Sequence, residues 1–266
     1  MRADVYLVEN GYAPSRERAK KQIENGVVFC SGKPVEKPSQ DILPGSEIIV
    51  LDDDMPYVGR GGVKLEAALE AFQIDVSGLT ALDIGASTGG FTDCLLQRGA
   101  TSVCAVDAGS NQLAKKLRED PRVKCMERCN ARYLTAGMIG GRVDLIVMDV
   151  SFISATYLIP LFPSLLLPGG KAVCLVKPQF EVGKSAIGKG GVVKDPAAHK
   201  AAIERVLEAG KAAGLAPCGL IASPISGGDG NREFLLCFST EQGTPTVNDA
   251  LIRTVIQPDK RGKEHA

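Results

Sequence analysis

Four residues in this chain combine type and position in a way that could do acid–base chemistry: Lys64, Asp149, Lys177 and Glu233. Lys177 ends the apolar run of residues 172–176 and is followed at once by Pro178. A strand buried on both faces reads as such an unbroken apolar run, so the ammonium stands at the tip of a core strand. A lysine can sit there simply by letting its head group out into water. Asp149, however, ends a second run, "VDLIVMD", in the same manner, and side chains at neighbouring strand ends lie within reach of one another. Lys64 in "GRGGVKL" opens a helix, and Glu233 in "GNREFLL" opens a strand. Singly, each is an ordinary cap or surface charge. Together they predict two cations and two carboxylates at one sheet edge. A lysine amine can act as a base where a second cation and partial burial favour its neutral form, and a carboxylate can orient it.

A ligand site is expected beside them. The stretch "LDIGASTGGFTD" ends a strand in a tight glycine turn and leads into a helix starting near Thr88. Asp83, Gly85, Ser87, Gly89, Gly90 and Phe91 are its candidate contacts. The turn is neither GxGxxG nor a P-loop, which disfavours a nicotinamide dinucleotide or a nucleoside triphosphate. The next strand ends in Asp107, about twenty residues on, where a carboxylate can accept from both hydroxyls of an adenosine ribose. Asp107 could instead cap the helix that follows. Asn130 and Ala131, after the third strand, are placed to line an adenine. A glycine turn, a ribose carboxylate and no phosphate-binding lysine suit S-adenosylmethionine. With Asp149 at the adjoining strand end, the expected chemistry is methyl transfer.

The elements that position these residues read as alternating strands and helices from about residue 79: "TALDIG", "SVCAVD", "VKCME", "VDLIVMD", "KAVCLVK", "GLIAS" and "EFLLCFS". Alternation of this kind predicts an α/β fold, a Rossmann-like, mostly parallel sheet covered on both faces. Leu65, Ala68, Leu69 and Phe72 mark one face of a preceding helix. A long helix is expected from Pro196, with Asp195 as its N-cap and Gly214 at its end. The expected domains are residues 1–56, a small α+β unit, and 57–245, the catalytic unit, with 246–266 as a poorly patterned tail. "DDDMPYVG" reads as the linker.

In the first unit, a helix ending at Gly11 precedes a second helix with Ser15 as N-cap, stopped by Gly26. A hairpin over "VVFC" and "KPV" and a last strand in "SEIIVL" follow. The second helix carries Arg16, Arg18, Lys20 and Lys21 within six residues, either a solvated face or a nucleic-acid contact. Lys184, Lys189 and Lys194 in the glycine-rich "EVGKSAIGKGGVVKD" divide the same way between phosphate contacts and a solvated loop.

Bulk properties limit the choices. The 266 residues are 44% hydrophobic and 23% charged, with Lys+Arg and Asp+Glu both 31. At zero net charge, any nucleic acid must be met by local basic patches. None of the eight cysteines forms a CxxC pair. Cys125 and Cys129 lack a nearby histidine, so no metal site is expected. No signal peptide and no run of eighteen apolar residues is present, which predicts a cytoplasmic chain with reduced thiols and disfavours membrane insertion.

The segment "RADVYLVENGYAPSRERAKKQIENGVVFCSGKPVEKPSQDILPGSEIIV" resembles the RNA-binding domain named for small-subunit ribosomal protein S-four. "GRGGVKL", "LDIGASTGGFTD", "VMDVSFIS", "LVKPQFE" and "GNREFL" resemble the TlyA (hemolysin A) family of ribosomal RNA 2′-O-methyltransferases, whose catalytic domain is FtsJ-like. The resemblance covers nearly the whole chain. It implies methyl transfer from S-adenosylmethionine to a cytidine 2′-hydroxyl in ribosomal RNA, with the family's Lys-Asp-Lys-Glu tetrad on Lys64, Asp149, Lys177 and Glu233. It places Arg16, Arg18, Lys20 and Lys21 on the RNA-facing helix. The expected partner is ribosomal RNA or a ribosomal subunit, with neither DNA nor a membrane. The rival readings are a pore-forming hemolysin, an RNA-binding assembly factor without catalysis, and a base methyltransferase. For the last, no cysteine nucleophile follows Asp149, where Val150 and Ser151 stand.

Overall fold

The computed structural model describes residues 1–13, 15–24, 26–31, 33–43, 45–50, 56–243 and 246–257. The expected linker falls largely on residues 51–55, outside the described residues.

The N-terminal unit begins with α1 (Ala3–Glu9) and α2 (Arg16–Glu24), followed by β1 (Val28–Cys30), β2 (Lys33–Pro34) and β3 (Ile48–Val50). Gly11 and Gly26 have φ of +77° and +70°, the left-handed conformation that ends a helix cheaply only at glycine. Ser15 Oγ accepts from Arg18 N–H at 3.2 Å, the expected N-cap. The strands form an antiparallel sheet in the order β2-β1-β3. Leu7, Ala19, Ile23, Val28 and Ile42 pack beneath the helices as its core.

The larger unit opens with α3 (Gly61–Ala71), then β4 (Thr80–Ile84), α4 (Gly90–Gln97), β5 (Ser102–Val106), α5 (Lys115–Arg118), β6 (Val123–Met126), α6 (Ala136–Ile139) and β7 (Val143–Met148). Next come α7 (Phe162–Leu165), β8 (Leu166–Val176), α8 (Pro178–Glu181), α9 (Pro196–Ala212), β9 (Ala216–Ala222), β10 (Phe234–Ser239) and α10 (Asp249–Val255). The seven strands run β6-β5-β4-β7-β8-β10-β9, and β10 is antiparallel to both neighbours. This is a Rossmann-like α/β sheet whose strand order reverses between β4 and β7, and the crevice at such a reversal is where ligands bind.

Alternation along each strand divides the core in two. Leu82 and Ile84 of β4, with Phe234, Leu236 and Phe238 of β10, face α9 and α10. Ala81, Leu235 and Cys237 face α3 and α4. Asp195 caps α9 as expected, accepting from Ala197 N–H at 2.9 Å. α4 starts at Gly90, two residues later than the sequence suggests, because Gly89 takes φ +98° at the N-cap. The segment expected as a poorly patterned tail contains α10, and Val247, Ile252 and Ile256 join the core. Among the described residues no helix is long and apolar enough to cross a membrane.

Candidate active site

The C-terminal ends of β4, β5 and β7 surround a cavity of about 430 Å³. Gly85 forms the turn after β4. Its φ is +85°, and a Cβ there would meet the Asp149 carbonyl oxygen at 2.2 Å. The turn therefore needs glycine both for its conformation and for close approach to β7. Ser87 N–H donates to Asp107 Oδ2 at 2.8 Å, and Gly109 N–H donates to Oδ1 at 2.7 Å. Asp107 thus ties the glycine turn to the end of β5, and its carboxylate lines the cavity with Asn130 and Ala131. Asn130 also caps the turn of residues 131–133 through Arg132 N–H.

Two members of the expected set lie behind the cavity wall. Gly89 packs against Leu113 and Leu117. Asp83 is 1% exposed on the α4 face, where Thr92 Oγ1 donates to Oδ2 at 2.7 Å and Oδ1 has no partner among the described residues. Burial is the main force raising the Asp83 carboxyl, to about 7. The Thr92 hydrogen bond opposes it, and nearby Asp149 and Asp107 add to it.

A second cavity, about 220 Å³, shares Gly85, Ser87, Asp149 and Ser151 with the first and is also lined by Gly61, Gly90, Phe91 and Lys177. Lys177 Nζ lies 2.5 Å from Asp149 Oδ1, off the hydrogen-bonding direction, and donates to Ser151 Oγ at 2.8 Å. Lys64, 7% exposed on α3, donates to Glu233 Oε2 at 2.5 Å, and Glu233 is 3% exposed. A buried pair of this kind is tolerated only when both charges are matched. Gly227 closes over it: a Cβ there would meet Glu233 Oε1 at 2.5 Å. The four tetrad candidates therefore form two ion pairs, Lys64–Glu233 and Lys177–Asp149.

The sequence reasoning passed over two residues here. Ser151 supplies the second partner of Lys177. Phe152 is 93% exposed at φ +64°, and its ring lies 5.3 Å from that of Phe180. A bulky residue in the left-handed region is strained and needs its surroundings to hold it there. Ser154 Oγ donates to the buried Glu181 carboxylate at 2.5 Å, and Ala155 N–H donates at 2.7 Å, which pins the loop. The sequence signal was only an aromatic just beyond a strand end.

The basic residues separate. Arg16 Nη2 donates to Asp4 Oδ2 at 2.8 Å, and Arg2 Nε donates to Oδ1 at 2.9 Å. These bonds hold the buried Asp4 carboxyl well below the usual carboxylate range. Lys20 and Lys21 are exposed, and Arg18 is half-buried. Lys184 and Lys194 are exposed on the glycine-rich loop. The Lys189 side chain lies outside the described residues. Among the described residues no group of three or more His, Cys, Asp or Glu is placed to hold a metal ion.

Residues 57–240 match the model of the FtsJ-like methyltransferase family, and residues 1–48 match that of the S4 domain. YqxC of Bacillus subtilis is 44% identical over 268 residues, covering 99% of this chain and 95% of its own. The 16S/23S rRNA (cytidine-2′-O)-methyltransferase TlyA of Mycobacterium tuberculosis is 46% identical over 241 residues, 90% of each chain. A solved structure from Streptococcus thermophilus, of a protein named for hemolysins, is 40% identical. It superposes with a TM-score of 0.75 over 96% of this chain and 94% of its own.

Proposed function

Because this chain belongs to the FtsJ-like methyltransferase family, and within it to the TlyA (hemolysin A) group, we propose that it methylates the 2′-hydroxyl of cytidine in ribosomal RNA, with S-adenosylmethionine as donor. The observation that carries this reading is the Lys177–Asp149 ion pair, standing where the two cavities meet beside the glycine turn.

The main cavity fits such a donor by its chemistry. Its lining holds two carboxylates, Asp107 and Asp149, and apolar walls from Ile84, Val106 and Leu158, but no lysine or arginine. That lining suits an adenosine bearing a sulfonium and an ammonium, and not one bearing phosphates. Asp107 would take the ribose hydroxyls, and Asn130 and Ala131 would flank the base. When bound, S-adenosylmethionine supplies an electrophilic methyl group. The chain supplies the rest. Lys177 rests as an ammonium paired with Asp149; after giving one proton to water, its amine accepts the proton of the ribose hydroxyl, and the ion pair with Asp149 re-forms. Ser151 Oγ fixes the direction in which the amine points. Lys64 and Glu233, buried on each other and lining neither cavity, brace the sheet end that carries Lys177, and much of the rate comes from in-line placement of the two reactants. The exposed Phe152 ring offers a face on which the target base can rest.

Residues 1–56 serve as the RNA-binding unit, with Lys20 and Lys21 as its free basic face, aided by Lys184, Lys189 and Lys194. Residues 57–245 serve as the catalytic unit. The partner is a ribosomal subunit, which places the chain in the cytoplasm. Mapping ribose methylation in ribosomal RNA from cells with and without the chain tests the function. A cytidine position that loses its 2′-O-methyl group, restored by the wild type but not by Lys177→Ala, is the expected result. Methylation of a target carrying 2′-deoxycytidine would exclude 2′-O chemistry.

A further inference from the structure

The chain is poor in aromatic residues, with five Tyr, eight Phe and no Trp. Four of these are exposed among the described residues: Tyr12, Tyr133, Phe152 and Tyr157. Three of the four lie on the two loops that follow β6 and β7 at the mouth of the cofactor cavity. Tyr133 is 73% exposed and Tyr157 is 59% exposed. Large aromatic surface left in water costs free energy of folding that burial elsewhere would recover, so its concentration at one place asks for an occupant.

The two loops also meet. The Arg132 guanidinium lies over the Tyr157 ring, 4.7 Å from its centroid. Arg132 follows Ala131 and Tyr157 precedes Leu158, and Ala131 and Leu158 both line the cavity. Each loop is fixed from below. Asn130 caps the first through Arg132 N–H, and Ser154 caps the second through Thr156 N–H while itself held by Glu181. Pre-ordered planar groups of this kind lose little freedom when a flat partner lands on them.

We propose that Arg132, Tyr157 and Tyr133 form a stacking surface for unpaired nucleobases adjoining the target nucleotide. This surface is separate from the Phe152 ring at the catalytic pair, and the proposal rests on the ribosomal RNA substrate proposed above. The chemistry favours bases over other occupants. A guanidinium held over a phenol ring enlarges the π-rich surface and adds positive charge, which suits single-stranded RNA. A purely aliphatic partner would need neither plane nor charge. The surface lets the enzyme test that nucleotides next to the target are unstacked before the hydroxyl reaches Lys177.

The test uses the full-length chain and a ribosomal subunit or rRNA fragment containing the methylated cytidine. Tyr157→Ala should weaken RNA binding by roughly 5- to 100-fold. It should leave the slope of affinity against salt unchanged, because no phosphate contact is lost. S-adenosylmethionine affinity and melting temperature should match the wild type. Tyr157→Phe should restore RNA affinity, while Tyr157→Leu, apolar but not planar, should not. Tyr133→Ala should show a smaller loss of the same kind. Wild-type RNA affinity in Tyr157→Ala, while the wild type itself methylates rRNA, would overturn the stacking surface alone. Full recovery by leucine would overturn it in favour of an aliphatic protein contact. A fallen melting temperature with unchanged RNA affinity would reduce the pair to a link between loops. A wild type that binds no RNA would overturn this surface and the proposed function together.

Discussion

Glu233 stands across from Lys177, one step beyond Phe234 and Val176, the last paired residues of β10 and β8. Directly opposed residues of an antiparallel pair send their side chains to the same face. Yet each closes its charge on a different partner, Glu233 on Lys64 and Lys177 on Asp149. The patch therefore holds two cations and two anions with no net charge, and losing one member strands another.

Removing the two lysines should have different costs. Lys177→Ala should keep S-adenosylmethionine affinity and lower turnover by roughly two to four orders of magnitude, the usual scale for a general base. Lys177→Arg should not restore it, because guanidinium stays protonated. Lys64→Ala should also lower stability, by about 3–5 kcal/mol, since it leaves Glu233 buried and unpaired. Single-turnover methylation with denaturant unfolding checks both, and an active Lys177→Arg would exclude the base role.

Asp107→Ala should weaken S-adenosylmethionine binding by about 2–4 kcal/mol, the scale of two hydrogen bonds to a charged acceptor. It also frees Ser87 N–H and Gly109 N–H, so part of the loss should appear as a looser glycine turn. Calorimetry gives the affinity and amide exchange at Ser87 the loosening. Unchanged affinity would remove Asp107 from the site.

Gly85→Ala tests the turn itself. The new methyl has no room against the Asp149 carbonyl, and φ of +85° adds strain of about 1–3 kcal/mol. A lowered melting temperature together with lost donor affinity is expected. An active, fully stable Gly85→Ala would mean that the turn is not packed on β7.

Asp83 should make stability depend on pH. Folded, its carboxyl titrates near about 7, and unfolded, near about 4. Between these values the folded state binds more protons, so its contribution to stability is full below about pH 4 and is lost as pH rises through about 7. Asp83→Asn should flatten this slope and be the more stable chain at pH 8, by on the order of 1–4 kcal/mol. Denaturant unfolding at pH 5 and pH 8 decides it, and parallel slopes in the two chains would sink the assignment.

Within α2, Lys20→Ala with Lys21→Ala should weaken RNA binding and reduce its salt dependence by about two phosphate contacts, at unchanged melting temperature. Arg16→Ala should instead destabilise the N-terminal unit, because Asp4 loses a partner. Filter binding across a salt series and thermal unfolding separate the two effects.

The strands were readable because buried parallel strands appear as unbroken apolar runs, and the ligand turn because glycines at a strand end have few other uses. The pairings within the tetrad were not readable. Lys64 and Glu233 are 169 positions apart, and only the packing of α3 against the sheet beside β10 joins them. Arg16 looked like part of one basic face because the sequence does not show that Asp4, one turn into the chain, is buried beneath it. Ser151 and Phe152 were hidden for another reason. Their roles depend on backbone angles just past β7, where a positive φ at Phe152 leaves no periodic trace. The helix α10 escaped because seven residues, "DALIRTV", bury only Ile252 within their span, too little for a visible stripe.

The insertion of β10 between β8 and β9 sets an order of events during synthesis. β9 leaves the ribosome before β10, but among the described residues its only neighbour in the sheet is β10. Until residue 239 has emerged, β9 has no strand to join, and β8 presents a bare edge with a hydrophobic face, a state prone to mispairing. Glu233 arrives with that last strand, so the nascent chain can carry a formed glycine turn and a Lys177–Asp149 pair while Lys64 still waits for its counter-charge. The enzyme becomes complete only when its sheet is closed from within, by the penultimate strand in space and the last in time.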